Sequence, residues 1–352
     1  MYNQGGLGSQ NEESRAGEVT CMRSIIGVLP VMIAAAFSAG AADGPPGWAY
    51  GFPPGPAPAA NPAGAPGGSG GRGRGPQVPP DTSAKHLDGS KLEFTRTQIN
   101  DGFGPADWFP EDHPQMPEIV AHGRRPGVRA CALCHYPNGK GRAENARVSG
   151  LSVAYFIQQM NDFKDGNRKS ADPRKANTNA MASIAKAMTD EEIKASAEYF
   201  GSIKFTPWIK VIETTMVPKT RIAGGLFLVL ESGEQEPLGQ RIIEVPESTE
   251  MAETLRNPRS GFLAYAPIGS VKKGEALATS GQCGLCHGAD LKGIGPVPTI
   301  AGCSPSYLMR QMYDMQQGTR KGLWTGLMKP VVAHLSEENL MNLAAYAASQ
   351  TP

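Results

Sequence analysis

Neither charge is in surplus: 34 Lys and Arg stand against 33 Asp and Glu. No basic tract is present that could follow a phosphate backbone, which excludes nucleic acid as a partner. Cysteine is scarce. The six in 352 residues, at 21, 131, 134, 283, 286 and 303, are too few and too unevenly spread for a disulfide-stapled scaffold. Long apolar runs are lacking too. Ser24–Phe37 is nearly all apolar, but its 14 residues are broken by Pro30, and a membrane-spanning helix needs about 20.

That run has a different use. It follows Met22-Arg23 and ends in Ser38-Ala39-Gly40-Ala41-Ala42, where Ala39 and Ala41 are the small residues a signal peptidase accepts. Residues 1–41 therefore read as an N-terminal extension and cleaved signal peptide, with an uncleaved anchor as the alternative, and place the mature protein in the periplasm. Residues 1–21 are polar, and Met22 reads as the true start, so Cys21 would be absent from the mature chain. From Gly44 to Pro80 there are 11 Gly and 11 Pro in 37 residues. Such a composition cannot bury enough apolar surface to offset the entropy of ordering, and 42–84 reads as a disordered tether.

The rest of the chain contains a repeat. Cys131, Cys134 and His135 recur as Cys283, Cys286 and His287, an offset of 152 that also carries Gly150, Ser152, Tyr155, Gln159, Met160, Asp162, Gly166 and Arg168 to Gly302, Ser304, Tyr307, Gln311, Met312, Asp314, Gly318 and Arg320. After one five-residue gap the offset becomes 147, taking Met181 to Met328 and Tyr199 to Tyr346. The two halves are duplicated. Each reads as helical: Ser152 and Ser304 cap helices that stop at Gly166 and Gly318, and Thr189 with Glu192 forms a capping box matched by a cap at Ser336. Ser270–Thr279 reads as a short helix ahead of the second motif. Between the halves, 209–212, 226–230 and 241–245 are short, β-prone and bounded by Gly and Pro. The expected order is an irregular extension lying on a first domain (85–204), a β-prone insert (205–268) and a second domain (269–352).

Cys131-Ala132-Leu133-Cys134-His135 and Cys283-Gly284-Leu285-Cys286-His287 both have the spacing that attaches a c-type haem. Two thiols three residues apart share one face of a helical turn, so both can add to the vinyl groups of one porphyrin while the next residue turns an imidazole to the iron. A structural zinc site would need the two pairs to meet and would leave each histidine unexplained; a redox dithiol would need a βαβ context that is missing. Two haem c groups, covalently attached, are the expected cofactors. The second axial ligand comes from Met160, Met181 or Met188 in one half and Met312, Met315 or Met328 in the other. Met160 and Met312 fall inside an expected helix. Met181 and Met328 each lie eight residues before the last helix cap, in a stretch where a loop could bring sulfur over the iron, so the expected iron ligands are His135 with Met181 and His287 with Met328.

Motif, Gly-x-Ser-x-x-Tyr helix, Arg, methionine and a final capped helix with Ala-x-Tyr, in that order, resemble the class I cytochromes c. The duplication resembles the periplasmic diheme cytochromes of the cytochrome c-four type. The resemblance covers roughly 117–204 and 270–350. It implies a mainly α fold of two tandem class I cytochrome c domains, here joined by a small β-rich insert, and a role in shuttling single electrons between donor and acceptor proteins, such as a membrane oxidase or a periplasmic dehydrogenase. The leader and the insert depart from that family, so the geometry between the haems is open. With both faces of each iron closed, no substrate chemistry is expected. The alternatives are a diheme peroxidase, which needs one displaceable ligand, and the cytochrome subunit of a dehydrogenase complex. His334 reads as a surface residue, His86, His113 and His122 as local hydrogen-bonding groups, Cys303 as a buried small position, and Trp324 as a cover for a haem edge or ordinary packing.

Overall fold

The computed structural model describes residues 44–53 and 81–352. The expected signal peptide, Cys21 and residues 54–80 of the expected tether lie outside them. Among the described residues no helix is long and apolar enough to cross a membrane.

In the first half, Cys131–His135 is followed by helices Val153–Lys164, Ala176–Ala187 and Asp190–Ser202. The second half runs Ser270–Ser280, Cys283–His287, Pro305–Gln316, Thr325–Val332 and Glu337–Ser349. The helix starts are set locally: Ser152, Ser304 and Ser336 each accept from a backbone N–H three residues on, and Thr189 and Glu192 cap each other. Each satisfies a donor that the helix itself cannot pair. The stops are local too. Gly166 and Gly318 both take φ +71°, and the residue after each donates back to Asp162 O or Asp314 O, a left-handed C-cap that favours glycine.

Strands occupy much of 209–266. Phe262–Ala266 is central, parallel to Ile209–Glu213 and antiparallel to Ile243–Pro246. Phe262, Ala264 and Ala266 are buried while Leu263 and Tyr265 are half-buried, the two-residue period of a strand with one face inward. This region has no core of its own. Trp208, Leu228, Ile243 and Phe262 share one apolar cluster with Leu308, Met309, Leu340 and Ala344 of the second half, whereas the first half closes around Phe156, Phe163, Ile193 and Phe200.

Two expectations differ from what is found. The tether was expected to span 42–84, yet Gly47–Tyr50 is a helical turn with Trp48, Ala49 and Tyr50 buried. Tyr50 Oη donates to Asp314 Oδ1 at 2.6 Å, Arg310 donates to Ala49 O at 2.6 Å, and Lys175 Nζ donates to Tyr50 O at 3.2 Å. Two large aromatic rings supply the apolar area that the surrounding Gly and Pro lack. The extension, expected to lie on the first domain, also packs on the strand region: Leu87, Ile99, Trp108 and Phe109 form a cluster with Leu255.

The two halves meet directly and reciprocally. Lys169 N donates to Thr319 O at 3.0 Å and Lys321 N to Asn167 O at 2.8 Å. Arg168 donates to Tyr307 Oη (3.1 Å) and Gln311 Oε1 (3.0 Å), while Arg320 donates to Tyr155 Oη (2.9 Å) and Gln159 Oε1 (2.9 Å). All of these pairs are related by the 152-residue repeat. It is an isologous contact, like that of a two-fold dimer, made within one chain.

Candidate haem sites

Each motif forms a five-residue helix, so its two cysteines, three apart, share a face. The chain leaves both helices with positive φ, +62° at Tyr136 and +83° at Gly288. Glycine is at ease there. Tyr136, with ψ 158°, is in a region nearly reserved for glycine and costs about 1–3 kcal/mol; its ring is buried with the Arg256 guanidinium over it. The imidazoles are fixed alike. His135 Nδ1 lies 2.8 Å from Ala146 O, and His287 Nδ1 lies 2.9 Å from Pro298 O; these carbonyls are again 152 residues apart. A carbonyl only accepts, so Nδ1 carries the proton and the Nε2 lone pair is left for a metal. Burial holds both imidazoles below their ordinary pKa, which keeps them neutral.

None of the four motif thiols is in a disulfide. Burial pushes Cys131 up to about 11 and raises Cys134 and Cys283 as well. A redox dithiol requires the opposite, a lowered thiol pKa. Among the described residues no three His, Cys, Asp or Glu side chains are placed to share a metal ion.

Met181 and Met328 do not lie in loops as expected. Met181 is within Ala176–Ala187 and Met328 within Thr325–Val332. The alanine-rich first stretch has high helix propensity, and the second is helical even with Pro330 inside it. Both side chains are half-buried, at the edge of the cluster that also carries the first cysteine of the same motif: Met181 with Cys131, and Met328 with Cys283. Met160, Met188 and Met315 are instead buried as core, and Met312 is half-buried against the second cluster.

Of the other candidates, Cys303 is buried with Sγ 3.6 Å from Thr299 O, and His334 is exposed. His113 pairs with Asp107 at 3.1 Å and His122 lies 3.4 Å from Phe103 O. Trp324 is half-buried at the start of the helix bearing Met328.

The residues present fit a covalently bound porphyrin: free paired thiols, an imidazole with one nitrogen committed, and an apolar surround. Around the first motif Tyr136 Oη, Arg142 Nε and Arg147 Nε are buried without a hydrogen-bond partner, donors suited to a ligand bearing carboxylates.

A cover over the first motif is not foreshadowed by any local pattern in the sequence. Arg256, at φ +52°, donates to Leu133 O. Asn138 donates to Pro258 O at 2.7 Å, Arg142 to Ala252 O at 3.2 Å, and Trp108 Nε1 to Leu255 O at 2.7 Å. Arg259 lies over the Phe109 ring and pairs with Asp112 at 2.6 Å. Segments far apart in sequence thus close over Leu133, which is 9% exposed; Leu285, its counterpart, is 73% exposed.

Comparison with known proteins agrees with this chemistry. The cytochrome c family profile matches residues 120–204. Cytochrome c-552 of Acidithiobacillus ferridurans is 31% identical over 224 residues, 62% of this chain and 73% of that protein. Cytochrome c4 of Pseudomonas aeruginosa is 42% identical over 90 residues, a quarter of this chain (25%) and 41% of that protein. The thiosulfate dehydrogenase electron acceptor of Stutzerimonas stutzeri is 26% identical over 230 residues, 64% of this chain and 82% of that protein. The chain belongs to the cytochrome c family, and its cofactor is covalently bound haem c.

Proposed function

We propose that the protein is a periplasmic carrier of single electrons. Cys131, Cys134, His135 and Met181 would hold one haem, and Cys283, Cys286, His287 and Met328 would hold the other. The observation that carries this reading is the matched fixing of the two imidazoles, each by a carbonyl eleven residues beyond its histidine. Bound haem supplies an iron that cycles between ferric and ferrous by one electron. The protein's part is to hold each imidazole in one tautomer and to set a thioether against it, which favours the reduced state. Both imidazoles are buried away from water, which also tunes the potential. A Met ligand on each iron leaves no position for a substrate, so the reading contains no substrate chemistry and disfavours a peroxidase.

A second reading concerns the donor. The relatives named as electron acceptors of thiosulfate dehydrogenase, from Stutzerimonas stutzeri and Thiomonas intermedia, match over 82% and 80% of their length. They favour a periplasmic dehydrogenase as the protein that reduces this one, with a membrane oxidase as an alternative partner. A redox titration with spectra tests the proposal: two low-spin centres, each with a sulfur-to-iron charge-transfer band, are expected, and a high-spin ferric centre would refute the ligand assignment.

A further inference from the structure

The two sites are exposed unequally, in a way the repeat does not explain. Five of the ten exposed large apolar side chains among the described residues lie on the two segments that bracket the second site. They are Leu285 and Ile294 on one, and Leu323, Leu327 and Val331 on the other, the segment that carries Met328. Cys286 is itself exposed. In the first half Leu133 is covered and Ala180 stands where the offset of 147 puts Leu327. Lysines outnumber carboxylates on the same segments, Lys292, Lys321 and Lys329 against Asp290. Lys321 and Lys329 are exposed and make no ion pair among the described residues, and Lys292 reaches Asp290 only at 3.9 Å.

We infer that the face around Cys286, Leu285, Leu323 and Leu327 is the docking surface for a redox protein that presents an acidic rim around an apolar centre, and that the cover closes the first site to partners. The inference rests on the reading of both sites as haem sites. An apolar centre gives such a contact its affinity, and a rim of lysines steers an acidic partner onto it. The cover, built from Trp108, Arg142, Leu255, Arg256 and Pro258, occupies the corresponding face of the first site.

The test uses the holoprotein, with two haems per chain verified by its pyridine haemochrome, which checks the underlying reading separately. The probe is an acidic plastocyanin, cadmium-substituted for binding and cupric for electron exchange. In the exchange one electron passes from ferrous iron to Cu(II), giving ferric iron and Cu(I) with no proton moved. Amide shifts in the holoprotein are expected over 283–295 and 321–331, fading at high salt. Lys292→Glu with Lys321→Glu should slow the exchange about tenfold or more, and Leu323→Ala with Leu327→Ala should weaken binding with both haems retained. Shifts centred on 131–142, or an exchange rate unmoved by the charge reversals, would overturn the inference. So would binding to phosphatidylglycerol vesicles through the same residues without any plastocyanin contact, which would make the face a membrane surface.

Discussion

Replacing Arg320 by Ala tests whether the reciprocal contact holds the halves together. Arg320 is 5% exposed, and its guanidinium donates to Tyr155 Oη, Gln159 Oε1 and Gln311 Oε1 at 2.8–2.9 Å. Removing it leaves three neutral acceptors, two of them buried and Gln311 half-buried, without that donor, at roughly 1 kcal/mol each, so Arg320→Ala should cost about 3 kcal/mol. Arg168 is less buried and has only two such acceptors, so Arg168→Ala should cost about 2 kcal/mol. Pairing Arg320→Ala with Tyr155→Phe isolates one contact across the halves. A hydrogen bond to a charged donor is worth about 1.5–3 kcal/mol, and a coupling near the low end is expected because the two Gln acceptors remain. Urea unfolding of the holoprotein, followed by circular dichroism with all four proteins at one pH, gives the cycle. If the two single costs add to within about 0.5 kcal/mol, the contact carries no coupling and the argument fails.

Met181→Ala and Met328→Ala should each lower the reduction potential of one haem and open its iron to added imidazole; spectra unchanged in both variants would remove those ligands from the proposal. Burial lowers Lys175 to about 7, below its ordinary 10.5, so the folded state binds fewer protons than the unfolded state between these values and stability rises with pH across that window. Lys175→Met, measured by urea unfolding, should therefore be the more stable protein at pH 6. At pH 10.5 it should fall behind by about 1 kcal/mol for the lost bond to Tyr50 O, and a difference that does not vary with pH would refute this. Gly322→Ala would drive a methyl group into the Asp162 carboxylate of the other half and should cost about 1–3 kcal/mol; a melting temperature equal to wild type would show that the contact yields.

What could be read in advance was local. Ser152, Thr189, Ser304 and Ser336 each pair with a backbone N–H three residues away, Gly166 and Gly318 sit where only the chain's own turn matters, and all six are found in those roles. The reciprocal interface could not be read that way. Tyr155, Gln159 and Arg168 look like ordinary helix-surface and loop residues until the second copy is brought against them. A clue was present: these polar residues are kept in both copies, and polar positions kept in a duplicated helix need a shared partner. The turn at Trp48–Tyr50 was hidden because two aromatic rings were averaged into a 37-residue Gly/Pro count. The cover was hidden because its parts, near residues 108, 142 and 256, are joined only by the fold.

Duplication alone would give two equivalent sites, because the backbone pairs and the Arg–Tyr and Arg–Gln bonds across the isologous interface each have their mate. The departures from equivalence come largely from sequence that has no second copy. Trp108, Leu255, Arg256 and Pro258 close over Leu133, and nothing among the described residues offers the same groups to Leu285. Trp48 and Tyr50 dock on the second half through Arg310 and Asp314, while the residues at those places in the first half, Gln158 and Asp162, hydrogen-bond to each other instead. The repeated residues therefore set how the halves face one another, and the unrepeated ones set which of the two sites meets the outside. Exchanging Leu285 and Leu133 would leave this asymmetry untouched, since they are the same residue; Arg256→Ala should reduce it, exposing Leu133 to solvent. Faster deuterium exchange at the amides of 131–138 in that variant is the expected sign, and an unchanged rate would mean that Trp108, Asn138 and Arg142 hold the cover without Arg256.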